Sequence, residues 1–223
     1  MNKLGNSIHQ NLILVIQYPN NITFNIFGIY LGSLNEAKPH IQEFVELTKP
    51  KNKSYVERDW YHANINTVWK KWTHFKITSF YIDSTGLSYE GVEYLMEFMR
   101  NFKCVFNVRT MLIGGGKANE IERNEMAFVY RNFMYFLGIG LFLDEDNYET
   151  CIEDLKSFSR VFQKNYTSFE SYQNYIERAL ENWQCRYYGE YFEKLVEIKQ
   201  KYDPNNLFNW NQSIPTTTEI SCY

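Results

Sequence analysis

Residues 133–143 read Phe-Met-Tyr-Phe-Leu-Gly-Ile-Gly-Leu-Phe-Leu, a run without a single charge. Such a run must leave water. It is also too short to cross a membrane as a helix, which takes about 18 or more apolar residues, and no run of that length occurs anywhere in the chain. It therefore reads as a strand. Four further segments read the same way: NLILVIQY (11–18), ITFNIFGIYL (22–31), HFKITSFYID (74–83) and CVFNVRTMLI (104–113). Residues 125–130 are expected to add another. Turn signals separate them at Pro19-Asn20-Asn21, Ser84-Thr85-Gly86 and Gly114-Gly115-Gly116.

Helical periods fill the gaps. Ser33 followed by Glu36 is a capping-box pattern, and Leu34, Ala37, Ile41, Phe44 and Val45 keep helical spacing up to Pro50. Residues 57–69 are expected to be helical as well. Ser88 suits the N-cap of a helix whose apolar face is Val92, Leu95, Met96 and Met99. Asp144 and Asp146 suit the start of a helix running to about residue 164 on Cys151, Ile152, Leu155, Phe158, Val161 and Phe162. Residues 187–202 read as one helix, with Phe192, Leu195, Val196, Ile198 and Lys199 spanning its inner face and flank, that stops at Asp203-Pro204. The fold class is α+β, a sheet with helices on one face. The expected division is a domain over 1–165, a distinct segment over 166–215 and a flexible tail over 216–223.

Composition removes several functions. A net charge of −3, with Lys and Arg dispersed among Asp and Glu, lacks the basic footprint of a nucleic-acid binder. Cys104, Cys151, Cys185 and Cys222 have no CxxC spacing and no His close by, so no metal site is expected and free buried thiols are. Four Asn-x-Ser/Thr sequons, at Asn21, Asn52, Asn165 and Asn211, would matter only in a secretory compartment. The first 20 residues lack the order of a signal peptide, so export would have to be encoded upstream. In LIGGGKA, Lys117 is followed by Ala118 where a phosphate-binding loop needs Ser or Thr. His9, His40, His62 and His74 have no nucleophile partner in a recognisable arrangement. Aromatic residues form 18% of the chain and include 18 tyrosines, which supply apolar bodies with polar tips to core edges and ligand pockets.

The specific signal lies in residues 171–215. It reads Tyr172-Gln173-Asn174-Tyr175, Trp183, Tyr187-Tyr188-Gly189, Leu195, Lys199, Lys201-Tyr202-Asp203-Pro204, Asn206, Phe208 and Gln212-Ser213-Ile214-Pro215. This closely resembles the C-terminal end of the berberine bridge enzyme family of FAD-linked oxidases. FGIYLGSLNEAKPHIQEF, Asp59-Trp60 and GGGKANEIERNEMAFVYRN look like parts of the same family's substrate domain. The resemblance implies an antiparallel substrate-domain sheet backed by helices, and a final helical segment that returns to an FAD-binding domain which this chain does not contain. It also implies exposed apolar surface where that domain would sit.

By the same resemblance, Tyr175 would be the catalytic base. Tyr172 and Asn174 would lie beside the flavin, Tyr188 and Gly189 would also touch the cofactor, and Tyr172 and Tyr135 would meet the substrate. A phenol acting as base needs its pKa brought down from about 10 by a cation or hydrogen bonds. The implied cofactor is FAD, and the implied partners are a small alcohol, sugar or similar molecule and an FAD-binding domain or chain. Glu177 stands where the family pattern has Asp, and Tyr191 where it has Asn. Leu137, on the strand where relatives offer a polar side chain, leaves a non-catalytic remnant or a tyrosine-rich binding module as the alternative.

Overall fold

A computed structural model of the chain describes residues 8–17, 21–59, 61–62, 74–104, 106–113, 119–123, 125–143 and 148–222. The expected turns at Pro19-Asn20 and Gly114–Gly116, most of the helix expected over 57–69, and Asp144 and Asp146 lie outside these residues. The strands are β1 (Ile8–Gln17), β2 (Asn21–Tyr30), β3 (His74–Asp83), β4 (Phe106–Ile113) and β5 (Phe133–Leu143). They form one sheet in the order β2-β1-β4-β5-β3, and β1–β4, β4–β5 and β5–β3 pair antiparallel. The chain divides into two compact units, residues 1–11 with 26–72 and residues 12–25 with 73–223.

In the first unit, α1 (Leu34–Thr48) starts as its sequence requires. Ser33 Oγ accepts the Glu36 N–H while a Glu36 carboxylate oxygen accepts the Ser33 N–H at 2.8 Å, so two amides left open by the helix start are satisfied. The helix ends at Lys49, which adopts φ 44°.

In the second unit, α2 (Tyr89–Asn101) and α3 (Tyr148–Tyr166) cover one face of the sheet. Phe80 and Ile82 of β3 and Leu137, Ile139 and Leu141 of β5 point into this layer, where they meet Leu95, Met99, Leu155, Phe158 and Phe162. The period-2 alternation of a strand puts these side chains on one face. Each fully buried side chain of this size adds about 1.5–3 kcal/mol of hydrophobic stabilisation. Helices α2 and α3 approach closely at Gly91, where a Cβ would stand 2.7 Å from Leu87 and 3.2 Å from Tyr166. Val92, expected on the inner face, is exposed, and the buried stripe runs through Gly91, Leu95 and Met99 instead.

Three further expectations are corrected. Residues 125–130 are irregular and form no strand, although Val129 and Tyr130 are buried. The helix expected over 187–202 is broken: α4 (Trp183–Tyr188) gives way to a single 3-10 turn at Gly189–Tyr191, and α5 (Phe192–Tyr202) follows. The break falls at Gly189, whose φ of 50° and ψ of −136° is a conformation that a residue with a Cβ resists. The cysteines are not free. Cys104 bonds to Cys151 and Cys185 to Cys222, across separations of 47 and 37 residues, so nothing in their local spacing announced the pairing. Cys222 thereby ties the last described residues to α4.

Candidate active site

The sheet face turned away from α2 and α3 is lined by Ser79 and Tyr81 of β3 and by Phe136 and Gly138 of β5. The segment over 168–177 lies on it, held by backbone and side-chain bonds that its sequence supplies. The Ser168 N–H donates to Tyr81 O (3.0 Å), Tyr172 N–H to Ser79 Oγ (2.9 Å), and Ser171 Oγ to Ser79 O (3.3 Å). The Ser171 N–H donates to Arg186 O at 2.9 Å, which fastens the segment to α4. Arg186 itself is largely buried. Its Nη2 donates to Ser171 Oγ (3.1 Å) and to Gln163 Oε1, and burial lowers its pKa from the usual arginine range.

These anchors bring Tyr172 and Tyr175 together. Their ring centroids are 5.3 Å apart, and Phe136 sits 5.0 Å from Tyr172 and 5.3 Å from Tyr175, all three in edge-to-face arrangements. Tyr175 lies over Gly138: a Cβ there would meet its Cε2 at 3.2 Å. The Tyr175 N–H donates to Tyr172 O (2.9 Å), closing the turn that sets both rings on one side. Asn174, at the exposed rim, donates from Nδ2 to the Tyr172 hydroxyl at 2.9 Å.

Around this cluster, other tyrosines are held neutral. Burial pushes the pKa of Tyr81 and Tyr130 far above the ordinary phenol value, and that of Tyr187 up to about 12. Tyr187 acts as a bracket, its hydroxyl accepting the Glu177 N–H (2.9 Å) and donating to Tyr175 O (3.5 Å). Glu177 is the hub of the next layer. Its carboxylate pairs with Lys76 of the edge strand β3 at 3.6 Å, both side chains largely buried, and its carbonyl accepts from Gln212 Nε2 at 2.9 Å. Arg123 ties the start of the segment to the turn after α4, reaching Glu170 at 2.7 Å and Glu190 at 2.9 and 3.0 Å.

The structure thus joins Tyr172, Asn174 and Tyr175 of the expected set. It does not join Tyr135, which packs on the opposite face against the helical core, where burial raises its pKa. Leu137 also points there, so its lack of a polar group says nothing about the site. On β5 the residues beside Tyr175 are Phe136 and Gly138. Tyr188 and Gly189 serve the bend between α4 and α5, with Tyr188 stacked near Phe192 (6.5 Å). Tyr187, Glu177, Lys76 and Arg123 were not anticipated, because their roles depend on partners up to about a hundred residues away. Of these, Tyr187 within Tyr-Tyr-Gly and Glu177 at the motif's acidic position carried a sequence signal, and Lys76 and Arg123 carried none.

Comparison with known proteins gives this arrangement a context. Residues 171–215 match the family model described as berberine and berberine like. An uncharacterised FAD-linked oxidoreductase of Bacillus subtilis, YvdP, is 35% identical over 103 residues, a match that takes in 45% of this chain and 22% of that protein. The solved structure of a berberine bridge enzyme-like protein of Physcomitrella patens superposes with a TM-score of 0.81 and 25% identity over 96% of this chain and 48% of that one. The fold is also that of a xylooligosaccharide oxidase from Myceliophthora thermophila, with a TM-score of 0.79 over 98% of this chain and 50% of that one, at 16% identity. The chain thus spans about half the length of these solved structures. Sheet, helical layer and overlying segment together have the fold of about half of an FAD-linked oxidase chain. The chain resembles the berberine bridge enzyme-like FAD-linked oxidoreductases, in sequence over 171–215 and in fold over most of its length.

Proposed function

We propose that this chain supplies the substrate-binding and proton-accepting part of an FAD-dependent oxidase acting on an alcohol, a sugar or a similar small molecule. The observation that carries this reading is the cluster of Tyr172, Tyr175 and Phe136, with Asn174 at its open rim, on the sheet face free of helices.

These residues fit the flat, partly polar ring of a flavin. Two phenols, packed on the buried Phe136 ring, present an aromatic wall, and the Asn174 amide and Tyr172 hydroxyl offer a donor and an acceptor at its edge. Tyr172, Asn174 and Tyr175 would hold the ring. When bound, FAD supplies the hydride acceptor for the substrate carbon. Tyr175 takes the proton from the substrate hydroxyl at its phenol oxygen, Tyr172 and Asn174 orient the reacting group, and Phe136 keeps water from the floor. Tyr81, Tyr130 and Tyr187 are excluded as the base by their burial, which holds them protonated. An ionised phenol calls for positive charge close by.

The remainder of FAD would be held by an FAD-binding half, in the same polypeptide or in a partner chain. The test is reconstitution. With an FAD-binding half of this family present, alcohol or sugar oxidation should appear together with a shifted flavin spectrum, and Tyr175→Phe should abolish most of the turnover while leaving the spectrum. Full turnover in Tyr175→Phe would remove Tyr175 from the role of base. Failure of the flavin spectrum to change would favour a binding module of the same fold.

A further inference from the structure

Two features that the oxidase reading does not use converge on the exposed loop after α1. The first is that all four cysteines are paired. Each bridge forms when two thiols release two protons and pass two electrons to a disulfide-bearing oxidant, a reaction that reducing compartments oppose. A chain that matures where such bridges persist can also meet the enzyme that reads Asn-x-Ser/Thr.

The second feature is how differently the structure treats the sequons. Asn52-Lys53-Ser54 lies in an irregular stretch in which every residue from Lys49 to Asp59 is exposed, so a bulky group on Asn52 displaces nothing packed. Asn165 is in the last turn of α3, and its Nδ2 already donates to Val161 O at 3.0 Å. Asn211 adjoins Trp210 and is close in sequence to Phe208, both more than 60% exposed, on apolar surface that a glycan would obstruct. Asn21 is the first residue of β2.

We infer that Asn52 is an N-glycosylation site and that the protein matures in an oxidising, secretory compartment. The Asn52 Nδ2 attacks the anomeric carbon of a lipid-linked oligosaccharyl pyrophosphate. A C–N bond forms, the C–O bond to pyrophosphate breaks, an amide proton is released and the lipid pyrophosphate departs.

The protein isolated from its own source is treated with peptide N-glycosidase in heavy-oxygen water and mapped by mass spectrometry, with thiols alkylated before and after reduction. Position 52 is expected to return as labelled Asp, the four cysteines to alkylate only after reduction, and Asn52→Gln to lose one glycan while retaining native unfolding behaviour. Recovery of the 52-containing peptide as unmodified Asn would overturn the assignment, as would cysteines that alkylate without reductant. No flavin or substrate enters this experiment, so its outcome is independent of the oxidase reading.

Discussion

Gly138 decides how near Tyr175 can come to the sheet. With a Cβ at 138, Tyr175 Cε2 would be 3.2 Å away, Ile77 Cδ1 3.5 Å and Phe136 Cε1 3.6 Å, so only the tyrosine is pressed and the ring must shift. Overpacking of this kind costs typically about 1–3 kcal/mol. For Gly138→Ala, the expected result is a loss of about 1 kcal/mol in urea denaturation and, in the reconstituted oxidase, a larger proportional loss of turnover. Unchanged turnover with the stability loss would show that the exact seat of the ring is unimportant. At this scale the sequence was legible for Tyr172, Asn174 and Tyr175, because a run of spaced aromatic and amide positions carried the signal. It was misleading for Tyr135 and Leu137. A one-residue error in which face a strand presents moves every side chain across the sheet, and the irregular register near Ile82 and Asp83, paired with Tyr135 and Phe133, is where the alternation of β5 slips.

Among the elements, the junction after α5 explains why Lys199, Asp203 and Phe208 occur at their spacing. The Asp203 carboxylate accepts the N–H groups of Leu207 (2.7 Å) and Phe208 (3.0 Å) and pairs with Lys199, which also donates to Phe208 O. The turn is therefore folded around one carboxylate. The bond from Lys199 and then the backbone donors hold its pKa below the usual value of 3.8. A carboxyl with a lower pKa in the folded than in the unfolded state contributes stability that is fully present above the unfolded value and lost as pH falls through the folded one. Asp203→Asn should accordingly narrow the stability difference between neutral pH and pH values below about 4, measured as urea midpoints across the series. Equal pH dependence in both proteins would remove the turn from that role. Most elements could be read from periodicity, since β3, β5, α1 and α2 carry clear patterns with caps. The break at Gly189 could not, because the apolar spacing of 187–202 suits a continuous helix. Neither could the two disulfides, which are contacts between distant elements.

For the whole molecule, the decisive feature is what α5 and the chain beyond it leave uncovered. Tyr202, Leu207, Phe208 and Trp210 are 74%, 76%, 68% and 63% exposed within nine positions of sequence. Large apolar side chains gathered in this way mark surface that meets another body, and the resemblance expected such surface where an FAD-binding half would sit. Removing apolar area from water is worth roughly 25 cal/mol per Å², so the exposed group disfavours an isolated chain in water and favours any partner that covers it. The purified chain should therefore self-associate as its concentration rises in sedimentation velocity. Phe208→Ser with Trp210→Ser should reduce that association without lowering the unfolding midpoint, since both side chains stand outside the core. An FAD-binding half should suppress it and, in hydrogen exchange, protect residues 202–210. A chain that stays monomeric at high concentration, and gains no protection there when the oxidase is reconstituted, would show that this surface is not the docking face and would move the search to other exposed parts of the second unit.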